Sequence, residues 1–177
     1  GAVLERTNNL LVEDIPPKMF VTCLYALLEP ASGRLVFANA GHDVPYHRTD
    51  DGEIEMRARG MPLGLLPGMA YGEKETVLEP GECLLLYSDG MVEAHSPSRE
   101  MFGFPRLQAL VGAQTDMNLV PFLLDRLHEF TGPDWEQEDD VTMVLLQARS
   151  RPGGRSPDEM LARFELPSRP GNERRAM

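Results

Sequence analysis

An α+β fold is expected from three features of the 177-residue chain. From Met19 to Tyr87 it carries short apolar or alternating runs bounded by Gly, Pro, Asn and Asp, the pattern of antiparallel strands joined by turns. Apart from an opening segment, apolar residues at helical spacing arise only beyond Pro105, and one further strand-like run follows them. Strands gathered early and helices late indicate α+β rather than regularly alternating βαβ units.

Residues Gly1 to Glu13 read as the end of a helix, with Leu4, Leu10 and Leu11 apolar, which Pro16-Pro17 breaks. Met19 to Leu28 is rich in apolar, β-branched and aromatic residues; "PASGR" then supplies turn chemistry and "LVFANA" resumes the strand, giving a hairpin. After "GH", "VPYHR" is a short strand, "TDDGE" a hairpin turn through Asp51-Gly52, and "IEMRAR" alternates as a half-buried strand does, so a meander of antiparallel strands is expected. The stretch "RGMPLGLLPGM" holds too many Gly and Pro residues for regular structure and reads as an ordered loop tucked down by Leu63, Leu65 and Leu66. Glu73 to Leu78 and Cys83 to Tyr87 are two more strands around the turn "EPGE".

Pro105 suits the first turn of a helix in "FPRLQALVG" that ends at Gly112. "NLVPFLLDRLHEF" presents an apolar face at helical spacing until Gly132-Pro133 stops it, and Val141 to Gln147 is the final strand. Residues 1–148 therefore form one unit. Residues 149–160, with "RSRPGGRSPDE", are basic, rich in Pro and Gly and read as a linker. Residues 161–177 recover an apolar segment at Phe164 to Leu166 and read as the opening of another domain.

A formal net charge of -11, with 42% hydrophobic and 25% charged residues, is that of a soluble globular protein and disfavours nucleic acid or an anionic membrane as partner. No apolar run approaches a bilayer span, and the opening residues lack the pattern of a secretory signal, so a cytoplasmic location is expected. Cys23 and Cys83 lie in strand-like runs without CxxC or zinc-finger spacing, and read as two buried free thiols.

Two acidic clusters carry the chemistry. Tyr87-Ser88-Asp89-Gly90 follows "CLLL", and Glu138-Asp139-Asp140 precedes "VTMVLL". Alone, an Asp-Gly step is a turn and an acidic triplet a solvated loop. At strand ends, however, carboxylates are held on rigid elements and project past the sheet, where a hard cation collects oxygen ligands. Asp89 and Asp139, without a Cys or His cluster, favour Mg or Mn over zinc or copper, yet two carboxylates leave such a shell incomplete. Asp50-Asp51-Gly52, at a hairpin tip, is assigned no chemistry. Structural calcium is the weaker metal reading, since the DxDxDG spacing is missing. His42 in "NAGH" reads as a structural hydrogen-bonding group at a strand end rather than a general acid, His47, His95 and His128 show no constellation, and Met19, Met61, Met69 and Met91 read as packing residues.

Taken in order, "FVTCLYALLEPASGRLVFANAGHDVPY", "RGMPLGLLPG", "LEPGECLLLYSDGMVEA", "FGFPRL" and "EDDVTMVLL" resemble the C-terminal portion of bacterial PPM-type (PP2C-like) serine phosphatases of the stage II sporulation E and sigma-factor-regulator group. The resemblance covers about Asn8 to Gln147. It implies an αββα sandwich, two antiparallel sheets between helices, with a Mg or Mn pair at one end and hydrolysis of phosphoserine by a metal-activated water. Asp89 of "SDG" and Asp139 of "DDVT" match the family's metal-binding aspartates; Asp139 is preferred to Asp140 because the first acid of that pair falls on the ligand position, and Gly90 lets the chain turn away at the metal. The family's earlier Gly-Asp motif has no equivalent before "NNLLVEDIPPKMF", so part of the two-metal site is expected from elsewhere and this segment alone is expected to be inactive.

The implied substrate is a phosphorylated anti-sigma-factor antagonist-like protein, in partner-switching control of gene expression or stress response, with room for a homodimer. The rival is a catalytically silent PPM-like module that binds a partner. The tail "ARFELPSRPGNERRAM" resembles the opening of small GHKL-type ATP-binding kinase domains that act as anti-sigma factors; their nucleotide-binding residues would lie beyond Met177, so no ATP site is assigned.

Overall fold

The computed structural model describes residues 1–114, 118–133 and 138–148. The linker and the GHKL-like opening expected at residues 149–177 lie outside the described residues. Helix α1 spans Ala2–Asp14 and is followed by strands β1 (Cys23–Glu29), β2 (Arg34–Ala40), β3 (Tyr46–Thr49), β4 (Gly52–Glu55), β5 (Glu73–Val77) and β6 (Cys83–Tyr87). A 3-10 turn at Asp89–Met91 leads to α2 (Phe104–Ala113), α3 (Leu119–Thr131) and β7 (Met143–Gln147).

The strands form two antiparallel sheets, β1-β2-β5 and β4-β3-β6-β7. The single meander read from the residues is thereby corrected. The β1-β2 and β3-β4 hairpins form, but the chain changes sheet between β2 and β3 and again on either side of β5. No local turn signal distinguishes a sheet change from a hairpin, because both need only Gly, Pro and polar residues.

Three apolar clusters define the layers. Leu4 and Leu11 of α1 pack with Ala38, Ala40, Leu63 and Tyr71 on the outer face of the first sheet. Leu35 and Phe37 meet Leu84 and Ala148 between the sheets, joined by Leu24, Leu86 and Leu146. Cys83, Leu85, Tyr87, Met143 and Leu145 face Leu107, Val111, Leu119, Leu123 and Leu127 of α2 and α3. The strand period of two sends Leu84 and Leu86 inward and Cys83, Leu85 and Tyr87 toward the helices, so β6 is apolar on both faces. This is an αββα sandwich. Arg48 of β3, buried against the helical layer, donates to the carbonyl of Gln114 just past α2.

Several boundaries differ from the sequence reading. The run from Met19 begins as regular strand only at Cys23, and Val21 makes an isolated bridge to Leu63. "IEMRAR" leaves its ladder at Glu55, where Met56 donates instead to the carbonyl of Pro45. Helix α2 runs through Gly112 to Ala113, with Pro105 in its first turn. Cys83 is buried, but Cys23 is only half-buried.

Of the three leucines expected to tuck down the Gly/Pro-rich loop, only Leu63 does so; Leu65 and Leu66 are 38% and 52% exposed. The anchor is polar. Asn8, fully buried on α1, donates from Nδ2 to the Leu66 carbonyl and accepts at Oδ1 from the Gly64 amide, both at 2.9 Å. Asn9 Oδ1 accepts from Gly68 N–H at 3.0 Å. Asn8→Ala leaves a half-buried backbone donor and a half-buried backbone acceptor without their partner, at about 1–2 kcal/mol for each. Thermal unfolding of Asn8→Ala is expected to show a loss of about 2–4 kcal/mol, with Asn9→Ala costing far less.

Candidate metal centre

The site follows from the register of one sheet. Strand β6 lies between β3 and β7 and is antiparallel to both, with Tyr46 opposite Leu85 and Met143 opposite Tyr87. The end of β6 therefore lies beside the beginnings of β3 and β7, and the segments just outside those ends converge. They carry Asp89 after β6, Asp139-Asp140 before β7 and Asp43 before β3. Tyr87 ties the β3 side, its hydroxyl donating to the Val44 carbonyl at 3.1 Å while its ring stacks on Tyr46 at 5.8 Å between centroids. Burial is the main cause that pushes the Tyr87 hydroxyl far above its ordinary range, so this donor stays protonated.

Ser88 ties the β7 side. Its Oγ donates to the Asp140 carbonyl at 2.8 Å and accepts from Thr142 N–H at 2.9 Å, while Ser88 N–H donates to the Thr142 carbonyl. The two acidic segments are thus stapled by a hydroxyl that has spent both roles on backbone. Gly90 is pressed against the same segment: a β-carbon there would lie 2.6 Å from the Asp140 carbonyl oxygen and 3.3 Å from the Asp139 carbonyl carbon. Close approach is the reason for glycine at this position. Asp89 opens the 3-10 turn, its carbonyl accepting from Val92 and Glu93 N–H and its Oδ1 from Gly90 N–H at 3.0 Å. Asp139 Oδ1 accepts from Asp140 N–H at 2.7 Å. The carboxylates of Asp89 and Asp139 both reach solvent.

Asp43 was not singled out by the sequence. Its Oδ2 is buried without a hydrogen-bond partner. Burial raises its carboxyl above the ordinary range; His42 offsets part of that, and the charges of Asp89 and Glu93 push it further up. An orphaned carboxylate oxygen beside Asp89 is a position at which a cation would be favoured. The signal lay in the β3-β6 register, which places Asp43 beside Asp89, and not in the composition around "GHD". Because its folded-state value is raised, the protonated form of Asp43 favours the fold; that contribution is present below the ordinary carboxylate range and lost as pH rises through the raised value. Asp43→Asn is expected to raise the metal-free melting temperature at neutral pH, because it removes a charge that burial disfavours. The gain disappears below about pH 4, where carboxylates protonate.

His42 sits at a strand end, its Nδ1 3.3 Å from Thr22 Oγ1. Asn39 clamps its backbone, donating to the His42 carbonyl at 2.9 Å and accepting from His42 N–H at 2.7 Å, around Gly41 at φ 72°. His47 pairs with Glu82 at 2.8 Å, by the end of β6 opposite to the acids, and His95 pairs with Glu138 at 2.7 Å. Both pairs are constellations that the sequence did not show.

The donors gathered here are carboxylate oxygens, which suit Mg or Mn in kind. In number they fall short: among the described residues no group of three His, Cys, Asp or Glu side chains stands ready to hold a metal ion. Asp89 and Asp139 would hold a cation on this chain, with Asp43 as the adjacent carboxylate, and the remaining positions would fall to water or other donors.

Comparison with known proteins bears on this geometry. The family model of stage II sporulation protein E (SpoIIE) matches residues 1–149. Protein IcfG of Synechocystis sp. (strain ATCC 27184 / PCC 6803 / Kazusa) is 30% identical over 150 residues, covering 82% of this chain and 23% of IcfG. Phosphoserine phosphatase RsbU of Bacillus subtilis (strain 168) is 26% identical over 155 residues, covering 83% of this chain and 44% of RsbU. The Mn-presoaked phosphatase domain of the cell fate determinant SpoIIE from Bacillus subtilis superposes with a TM-score of 0.64 at 15% identity, over 86% of this chain and 66% of that one. The chain thus spans less than half the length of these curated relatives.

Proposed function

The chain belongs to the stage II sporulation protein E (SpoIIE) family of PP2C-type domains, and from that membership we propose that it forms the C-terminal part of a Mg- or Mn-dependent protein serine phosphatase. The carrying observation is that the β3-β6-β7 register brings Asp89 and Asp139 to one end of the sheet. The similarity to phosphoserine phosphatase RsbU and to a Mn-presoaked phosphatase domain supports the reaction and the cation. A divalent cation bound at these acids supplies Lewis-acid activation of water for in-line attack at phosphorus.

This chain's own residues perform the positioning. Asp89 and Asp139 present charge at a solvent-open sheet end where a phosphoserine side chain can enter. Ser88 and Gly90 hold the two acidic segments together, and Tyr87 locks the neighbouring strand. The serine hydroxyl of the substrate leaves as phosphorus accepts the water oxygen, with no covalent bond to the chain. The proposed substrate is a phosphorylated anti-sigma-factor antagonist-like protein in cytoplasmic partner switching, read from the family resemblance. Among the described residues no helix is long and apolar enough to cross a membrane. Residues 1–177 alone are proposed to turn over little, since the acids present make only part of a two-metal shell.

That shortfall also favours a second reading, a PPM-like module that binds a partner without hydrolysis. Phosphate release from a phosphoserine protein by the full-length protein, measured with and without Mn, separates the two. Mn-dependent turnover supports the phosphatase; a folded, Mn-supplemented protein without turnover supports the silent module.

A further inference from the structure

Ser88 fastens the segment before β7 from one side only, through Asp140 and Thr142. On the other side of Asp139, Glu138 is fastened as well. Its Oε2 accepts from His95 Nδ1 at 2.7 Å, and its Oε1 lies 3.5 Å from Arg99 Nη1. His95 and Arg99 belong to a tight excursion between the 3-10 turn and α2, which the proposed reaction leaves unused. This excursion is well braced. Phe102 N–H donates to the Ala94 carbonyl, Gly103 N–H to the Val92 carbonyl, and Ser96 N–H to the Glu100 carbonyl, while Ser96 Oγ accepts from Glu100 N–H. Its root is Phe102, buried and edge-on to Phe130 at 5.3 Å, with the Arg106 guanidinium over the Phe130 ring at 4.2 Å. Arg99 takes a left-handed φ of 65° at the tip.

We propose that His95, assisted by Arg99, is a positioning residue: by holding Glu138 it fixes Asp139 against the Asp89-Gly90 turn, so that the acid pair is presented in one arrangement. The proposal rests on the metal-dependent reading of this site. A segment held at Glu138 and again at Asp140 has little freedom left at the residue between them, and restricting a ligand in advance strengthens cation binding. The side chains of His95 and Glu138 are 29% and 46% exposed and that of Arg99 is 83% exposed, so His95 is the principal partner and the effect is that of one partly exposed hydrogen bond.

The test is Mn(II) titration of the full-length protein without substrate, followed by the electron paramagnetic resonance signal of free Mn, together with amide hydrogen exchange at Asp140 and Thr142. His95→Ala is expected to weaken Mn binding about two- to five-fold, the scale of one partly exposed hydrogen bond, and to speed exchange at both amides. His95→Asn, whose Nδ2 can donate where imidazole Nδ1 does, is expected to restore both. A double substitution with Glu138→Ala is expected to be no worse than Glu138→Ala alone. Unchanged Mn affinity and exchange in His95→Ala, or the same loss in His95→Asn as in His95→Ala, overturns the proposal. If the parent protein binds no Mn, the phosphatase reading fails by itself, and the exchange comparison still decides whether His95 positions the segment.

Discussion

Asp89→Asn in the full-length protein is expected to lower Mn-dependent release of phosphate from a phosphoserine protein by at least about 100-fold, the scale seen when one preorganised charged or polar group is removed from an active site. The fold is expected to survive, because Asp89 is exposed and its contacts within the chain are to the local turn. Asparagine retains the Oδ1 that accepts from Gly90 N–H, so the turn keeps its hydrogen bond and loses only the charge. The informative comparison is with Asp51→Asn, an acid at the tip of the β3-β4 hairpin, which is expected to leave turnover unchanged. Phosphate release and thermal unfolding measured on the same samples check the prediction: equal activity in wild type and Asp89→Asn would remove Asp89 from the site, and with it the main support for the reaction.

Gly90→Ala is expected to be the most damaging single methyl group that can be added to the site. The new β-carbon meets backbone, 2.6 Å from the Asp140 carbonyl oxygen and 3.0 Å from its carbon, so no side-chain rotation relieves the contact. The Asp139-Asp140 segment must move. Overpacking of this kind costs about 1–3 kcal/mol, and displacement of a reacting group by about an ångström costs on the order of 100-fold in rate. Thermal unfolding should therefore show a modest loss, while phosphate release and Mn affinity fall together. A Gly90→Ala protein with normal turnover would show that the two acidic segments need not touch.

Local chemistry made much of the fold legible. Strand β6 has the limits that "CLLLY" indicates, both hairpins form where Gly and Asp mark turns, and Gly132 stops α3. Pairing between distant segments was less legible. Asp43 acquires meaning only once β3 lies beside β6, and His95 only once the excursion after Asp89 reaches Glu138. The Gly/Pro-rich loop shows a second kind of miss: three leucines were expected to hold it, whereas Leu63 alone of them does so and Asn8 adds two hydrogen bonds to backbone. An asparagine inside a helical segment carries no mark of being buried, and the Leu66 carbonyl that it meets belongs to a remote part of the chain. For the acids, "SDG" and "DDVT" read as a pair from their placement at strand ends and then from family resemblance, while the residues alone left turn and loop readings open.

The position of β6 between two antiparallel neighbours also governs when the site can exist during folding. Asp43, Asp89 and Asp139 come from three separate stretches of chain, and they reach the same end of the sheet only after both ladders close in correct register. A slip of one residue in either ladder would turn every side chain of that strand to the opposite face and move its acid away from the sheet end. An unfolded or misregistered chain therefore offers scattered carboxylates, and the native chain carboxylates at one end of a sheet. Any cation that prefers the native arrangement stabilises the native state by mass action, in proportion to the logarithm of its concentration above the dissociation constant. The acid-bearing end of the sheet is in this sense a reporter of completed strand pairing, one that a metal ion bound at the proposed site would read without any turnover.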